Sequence, residues 1–320
     1  MNSGCVELSV KSACEYLKES NNYLIVTHSS PDGDTIGSGF ALKNILNQLG
    51  KNANVVCADS FPQKFDFIVD ENTDFTPENI IAVDIADLKL TTVLAERLEN
   101  KVDLCIDHHI SNTHFAKRLV LDASAAACCE IILKIAEELS VDINQKLANA
   151  IYTGICTDTG CFKFSNVTEN THLSAAKLIK CGAETAKINR IMFETKRREQ
   201  IELEKSALET LKFYYGQKCA LIYITTEMMK KTGCLDSELD AISSVPRTIE
   251  GVLVGITLKQ KDENLFKASV RTHAPIDAGK ICAMLGGGGH ARAAGCAIKG
   301  NLEEVSEKIL SAAKTVLGEI

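Results

Sequence analysis

Four short stretches of this chain gather acids and imidazoles: His28-x-x-x-Asp32-x-Asp34, the single Asp84, Asp107-His108-His109, and Asp158 within Thr-Gly-Ile-Cys-Thr-Asp-Thr-Gly. Each follows an apolar run, where a buried element delivers polar groups at its end. A lone Asp in such a place commonly caps a helix or shapes a turn. Four such clusters at four element ends point to shared chemistry instead. Carboxylates mixed with imidazoles suit Mn2+, and also Mg2+ or Fe2+, better than a thiolate-rich zinc site. The set offers more ligands than one ion requires. Two ions sharing a bridging carboxylate use it fully, and such a pair stabilises the attacking and leaving oxygens of an in-line displacement at phosphorus.

The elements that position these residues show in the pattern of apolar runs. Residues 22–27, 53–58, 79–83 and 102–106 read as buried strands, with a short fifth at 119–121. Gly37-Ser38-Gly39 opens a helical pattern over 40–49, stopped by Gly50. His28, Asp32 and Asp34 then share one loop, which Pro31 and Gly33 let fold sharply. Helical periodicity covers 124–139, 144–156 and 171–179. Strands alternating with helices predict a parallel, Rossmann-like sheet with helices on both faces, and ligands collect at the carboxyl ends of such strands. Asp87 reads as a loop or cap residue.

A charged helical stretch, 191–213, reads as a solvent-crossing connector and hinge between domains at 1–190 and 214–320. The second half predicts a smaller mixed-sheet α/β domain. Strands fall at 219–225, 251–258 and 265–271, the last two as a hairpin. A helix over 277–285, capped by Asp277, runs into Gly286-Gly287-Gly288-Gly289-His290-Ala-Arg292. A strand at 296–298 and a helix at 302–317 follow. Consecutive glycines let backbone amides approach an anion, and His290 and Arg292 add donors beside them. Arg271, near a strand end, can fork two hydrogen bonds onto a phosphate. Arg247, after Pro246, reads better as a surface ion-pairing residue. His114, His172 and His273 lack acid clusters at ligand spacing.

Composition narrows the class. The 320 residues are 45% hydrophobic and 24% charged, ordinary for a globular protein of about two domains. No apolar run reaches the ~18 residues of a membrane helix, and the first residues lack a signal-peptide pattern, so a cytoplasmic location is expected. The 13 cysteines include no C-x-x-C pair and read as reduced core residues. A net charge of −7 argues against long duplex nucleic acid as partner. The charge is uneven: residues 1–212 carry 22 basic and 30 acidic side chains, whereas 213–320 carry 13 and 12. An anionic substrate is better held by the second half, and the acidic half needs cations to meet it.

In order and spacing, the four clusters resemble the motifs of the DHH phosphoesterase superfamily. The Gly-Gly-Gly-His290 run with the Arg271 strand is similar to that family's associated domain. The match covers nearly the whole chain and most resembles the two-domain branch of nanoRNases that are also 3′-phosphoadenosine 5′-phosphate phosphatases. The resemblance implies two Mn2+ ions, with Mg2+ or another divalent metal as substitute. His28 and Asp32 would bind one; Asp34, His108 and Asp158 the other; Asp84 would bridge them. Asp107 would orient a neighbouring imidazole, and His109 would face the substrate phosphate; Asp84, Asp107, His108 and His109 thus form the implied catalytic set. Arg271, Gly287, Gly288, Gly289 and His290 would hold the nucleotide.

The implied reaction is attack of a hydroxide held between the metals on short RNA, giving 5′-mononucleotides, or on 3′-phosphoadenosine 5′-phosphate, giving AMP. Hydrolysis of pApA or cyclic di-AMP is the alternative within the class, and a nucleotide-binding sensor without turnover is the alternative outside it. A RecJ-type exonuclease and a manganese-dependent inorganic pyrophosphatase fit less well. The first needs a further nucleic-acid-binding domain; the second needs a basic pocket where this chain has Gly-Gly-Gly-His. Short RNA or a dinucleotide is the expected partner, without a membrane, and a homodimer is possible.

Overall fold

The computed structural model describes residues 4–235 and 239–318, apart from the side chains of residues 240 and 241. The chain divides into two compact units, Met1–Thr195 and Lys196–Ile320.

The first unit runs β1 (Val6–Glu7), α1 (Val10–Glu19), β2 (Tyr23–Val26), α2 (Gly33–Gln48), β3 (Ala53–Val56), β4 (Asn79–Val83), α3 (Ala95–Leu98), β5 (Leu104–Asp107), β6 (Arg118–Leu121), α4 (Cys128–Glu138), α5 (Gln145–Asp158), α6 (Glu169–Lys180) and α7 (Thr185–Asn189). Its six strands are all parallel, in the order β1-β6-β5-β4-β2-β3. Strands buried on both faces explain the short unbroken apolar runs, such as Tyr-Leu-Ile-Val in β2. One core lies between the sheet and α1, α2, α4 and α5; a smaller one, including Ile85, Leu98 and Cys105, covers the other face. Helix α2 begins at Gly33, not near residue 40, so Asp34 lies in its first turn instead of in a loop. Asp32 is its N-cap and accepts from the amides of Asp34 and Thr35.

The second unit runs α8 (Arg198–Leu208), β7 (Lys212–Tyr214), β8 (Cys219–Ile224), α9 (Thr226–Thr232), α10 (Asp240–Ser243), β9 (Val254–Asp262), β10 (Leu265–Thr272), α11 (Ala278–Ala283), β11 (Gly288–His290), β12 (Ala293–Lys299) and α12 (Leu302–Leu317). Its mixed sheet has the order β11-β12-β10-β9-β8-β7, with β8 and β9 the parallel pair. Helices α11 and α12 cover one face, and α8, α9 and α10 cover part of the other.

The stretch expected to be one connecting helix is broken. Arg190–Glu194 forms a wide turn, α8 follows at Arg198, and Lys212–Tyr214 is strand. Leu203 and Ala207 of α8 are buried against Ile222 and Ile224, so this helix belongs to the core of the second unit and does not cross solvent. No disulfide joins any of the 13 cysteines. Among the described residues no helix is long and apolar enough to cross a membrane.

Candidate active site

Strands β5, β4 and β2 are neighbours, so His108, Asp84 and His28 emerge side by side at one sheet edge. From β2 the chain moves out to β3 and then returns to the opposite side of β2 as β4. The crevice beyond the carboxyl ends of β2 and β4 is therefore a topological switch point, where parallel sheets bind ligands.

The Asp84 carboxylate divides its two oxygens. Oδ2 lies 3.7 Å from His28 Nε2, which is also 3.7 Å from Asp32 Oδ1. Oδ1 lies 3.5 Å from His108 Nε2, which is 3.9 Å from Asp34 Oδ2 and 3.6 Å from Asp158 Oδ2. These separations are long for hydrogen bonds. Donors each about 2.1 Å from one cation lie roughly 3–4 Å apart, so the spacing suits shared ions. His28, Asp32 and Asp84 form one group able to hold a cation, and Asp34, His108 and Asp158 another; Asp84, His108 and His109 form a third.

A divalent cation fits these donors on a further observation. Asp84 Oδ1 is buried and has no hydrogen-bond partner. An ionised oxygen left so is costly unless a cation meets it. Asp84 also holds a left-handed backbone, φ 58°, which is strained for a non-glycine residue and concentrates at functional sites.

Asp34 is anchored from another helix. Its oxygens accept from the amides of Cys128 (2.6 Å) and Cys129 (3.0 Å) at the start of α4. Helix α4 has no side-chain cap of its own at Ala127, so Asp34 serves its exposed amides. Helices α2 and α5 approach closely because glycine lies in the contact. A methyl group on Gly154 would sit 2.6 Å from Asp34 Oδ1 and 2.2 Å from Cys129 Sγ. That approach is what carries Asp158, at the end of α5, to His108.

Asp107 is fully buried. It accepts from His109 Nδ1 at 2.7 Å, from the His108 amide at 2.8 Å and from Asn112 Nδ2 at 2.7 Å. The Asn112 amide nitrogen also lies 3.1 Å from the Ile85 carbonyl, linking the ends of β4 and β5. Asn112 was not singled out in the sequence, where nothing separates it from an ordinary loop asparagine.

In the second unit, Arg271 on β10 stands opposite Ala293 on β12, which stands opposite His290 on β11. Directly paired residues share a face, so Arg271 and His290 flank Ala293 on one side of the sheet. The glycine run differs from the expected loop. Gly288, Gly289 and His290 form an exposed edge strand. A Cβ on Gly287 would lie 2.3 Å from the Gly295 carbonyl, and one on Gly289 2.6 Å from Ala294 Cα. These two glycines therefore let the run lie against β12. Arg292 bonds the Ile276 carbonyl through its guanidinium, a structural link.

Residues 22–155 match the DHH family, N-terminal domain, and residues 217–319 match the DHHA1 domain. The chain is 32% identical over 302 residues to the bifunctional oligoribonuclease and PAP phosphatase NrnA of Thermus thermophilus, covering 92% of this chain and 89% of the relative. The chain belongs to the DHH family. Membership makes it a hydrolase of phosphate esters. Among solved structures, an exopolyphosphatase-related protein from Bacteroides fragilis shares the fold, with TM-score 0.86, 22% identity and 96% of each chain covered. RecJ from Thermus thermophilus, crystallised with Mn2+, shares it more distantly: TM-score 0.57, 15% identity, 95% of this chain and 55% of RecJ.

The electrostatics of this DHH centre follow from crowding acids in a small space. Burial, then the carboxylates of Asp34 and Asp32, push the Asp84 carboxyl well above its usual range. The same causes raise Asp158 to about 8. Burial also raises Asp34, though His108 opposes it. The hydrogen bond to Asp107 raises His109. Burial works against charge on Asp107, but its bonds from His109 and Asn112 outweigh this and hold its carboxyl below the usual range. A site that resists its own negative charge this strongly is built to be neutralised by cations.

Proposed function

We propose that this chain is a Mn2+-dependent phosphoesterase that degrades very short RNA to 5′-mononucleotides and converts 3′-phosphoadenosine 5′-phosphate to AMP. The observation that carries the reading is the Asp84 carboxylate, which turns one oxygen to each of two ligand groups and leaves Oδ1 buried without a partner. The substrate classes are supported by the activities for which the NrnA relative is named.

In this reading His28 and Asp32 would hold one cation, Asp34, His108 and Asp158 would hold the second, and Asp84 would serve both. Two divalent cations, when bound, neutralise phosphate charge and acidify water enough to ionise near neutral pH. The chain's own groups do the rest. Asp107 takes the proton side of His109 Nδ1 and so fixes which ring edge is offered outward. His109, 38% exposed at its side chain, presents Nε2 to a phosphate oxygen and donates to charge that develops there. Arg271 and the Gly287–His290 edge hold the nucleotide through its phosphate and main-chain-directed contacts. The reading carries a cytoplasmic location with it.

The test offers purified protein and Mn2+ a series of substrates: RNA of graded length, 3′-phosphoadenosine 5′-phosphate, pApA, cyclic di-AMP and pyrophosphate. Turnover of the first two, falling steeply as RNA lengthens, is expected. Turnover confined to dinucleotides would favour the alternative diesterase, and turnover of pyrophosphate alone would overturn the proposal.

A further inference from the structure

We infer that Arg247 is a second anion-binding guanidinium of the C-terminal unit, placed to hold a nucleotide phosphate beside Arg271. This rests on the nucleotide reading above and extends it to a residue whose sequence context favoured surface ion pairing over anion binding.

The surface reading fails on the geometry. Arg247 makes no ion pair among the described residues, and its Nε is buried without an acceptor. A buried donor of a permanently charged group is seldom left unmet, because the lost hydration is not returned. Glu250 lines the same cavity of about 400 Å3 but is exposed and does not pair with it.

Position gives the missing acceptor its chemistry. Arg247 lies in a short helical turn, Val245–Thr248, which packs on β9. The point of contact is Gly255: a Cβ there would be 2.5 Å from the Arg247 amide nitrogen and 3.1 Å from Arg247 Cβ. Gly255 is the direct antiparallel partner of Arg271. The absent Gly255 side chain and the Arg271 side chain therefore share one face, and Arg247 occupies the space the former would fill. Across the sheet on that face the row reads Arg247 over Gly255, then Arg271, Ala293 and His290. Glycine at 255 lets the Arg247 backbone sit on the strand, and only the small side chain of Ala293 stands between Arg271 and His290. His273 braces the turn from behind, with Nε2 3.0 Å from the Arg247 carbonyl and its amide bonded to the Leu253 carbonyl. Two arginines set along one row of the sheet match an oxyanion with several acceptor oxygens, which is a phosphate ester better than a neutral base or sugar.

The experiment compares full-length Arg247→Gln and Arg247→Lys with the parent, using AMP as the binding probe. Calorimetry is run on chelator-treated and on Mn2+-loaded protein. R247Q is expected to weaken AMP on the order of tenfold or more in both states, with R247K between. KM for 3′-phosphoadenosine 5′-phosphate should rise by the same order while kcat changes much less. The loss should be at least about tenfold larger for that nucleotide than for bis(p-nitrophenyl) phosphate. Metal content should not change. Unaltered AMP affinity in folded variants would overturn the inference, as would equal losses on both substrates. If R247Q does not fold, R247K decides on the same readouts. A parent protein that binds AMP but hydrolyses no phosphoester would defeat the proposed function alone; a parent that hydrolyses nucleotides while R247Q binds AMP normally would defeat this inference alone.

Discussion

His109 Nδ1 lies 2.7 Å from a carboxylate oxygen of Asp107, and that carboxylate is fully buried. The pair fixes the ring without exposing the acid. Asp107→Asn keeps the shape but replaces an acceptor-only group with one that also donates. It is expected to lower kcat about 10–100-fold while leaving metal content near the parent value. Steady-state kinetics with elemental analysis of the protein checks this; loss of bound metal would show that Asp107 is itself a ligand.

Asp84 is expected to be indispensable to both ions. Asn is the variant of choice, because it tolerates the left-handed backbone at φ 58° and preserves the fold. Asp84→Asn should abolish turnover and weaken both Mn2+ binding steps in a calorimetric titration. Loss of one step with the other intact would remove the bridge from the mechanism.

Gly154 sets the distance between the helices that carry Asp34 and Asp158. Gly154→Ala puts a methyl 2.6 Å from Asp34 Oδ1 and should cost about 1–3 kcal/mol of stability. Mn2+ affinity should fall with it. Gly4→Ala, with nothing within 4 Å of the added carbon, is the control and should change neither quantity. Denaturant unfolding of both variants gives the comparison.

The metal-free protein should lose stability as pH rises across neutrality. Asp158, raised to about 8, and Asp84, raised well above the usual range, bind protons more tightly folded than unfolded. Their destabilising ionisation sets in above the unfolded carboxylate value and is complete above the folded one. His28 is also raised: burial opposes its charge, and Asp32 more than compensates. His28 and His109 contribute stability below the ordinary imidazole value and lose it as pH climbs through their raised values. Asp107, held low, stays ionised throughout and adds no slope. Both terms point the same way, so the Tm of chelator-treated protein should fall between about pH 5.5 and 8.5. The Mn2+-induced rise in Tm should grow over the same interval, and proton release on adding Mn2+ should be detectable near pH 7. A metal-free Tm that climbs with pH would contradict the proton assignment.

The residues that meet at the sheet edge were legible before folding, as was the parallel sheet that gathers them. Apolar runs of four to six residues cannot end in His28, Asp84 or Asp107-His108-His109 without leaving polar groups at strand ends. In a parallel sheet those ends lie together. The alternation of strands with helices was equally plain, because buried strands and amphipathic helices impose different periods on the chain; the short edge strands β1, β7 and β11 and helices α1 and α9 were not.

What the tertiary structure alone decided depends on partners far apart in sequence. Asp34 sits in a helix instead of a loop because Asp32 caps that helix, and it is held by amides of Cys128 and Cys129. Asn112 acquires a role only when the ends of β4 and β5 converge on it. Glycines 287 and 289 look like an open anion loop until pairing with β12 shows a backbone pressed against backbone. Residues 198–208 look like a solvated connector until Leu203 and Ala207 find Ile222 and Ile224. Arg247 comes to lie over Gly255, which the register of β9 with β10 makes the strand partner of Arg271. Residue type and local period determined the candidate ligands and the sheet; strand register and helix approach decided which groups hold those side chains in place, since burial and pairing are properties of the folded chain and not of any one segment.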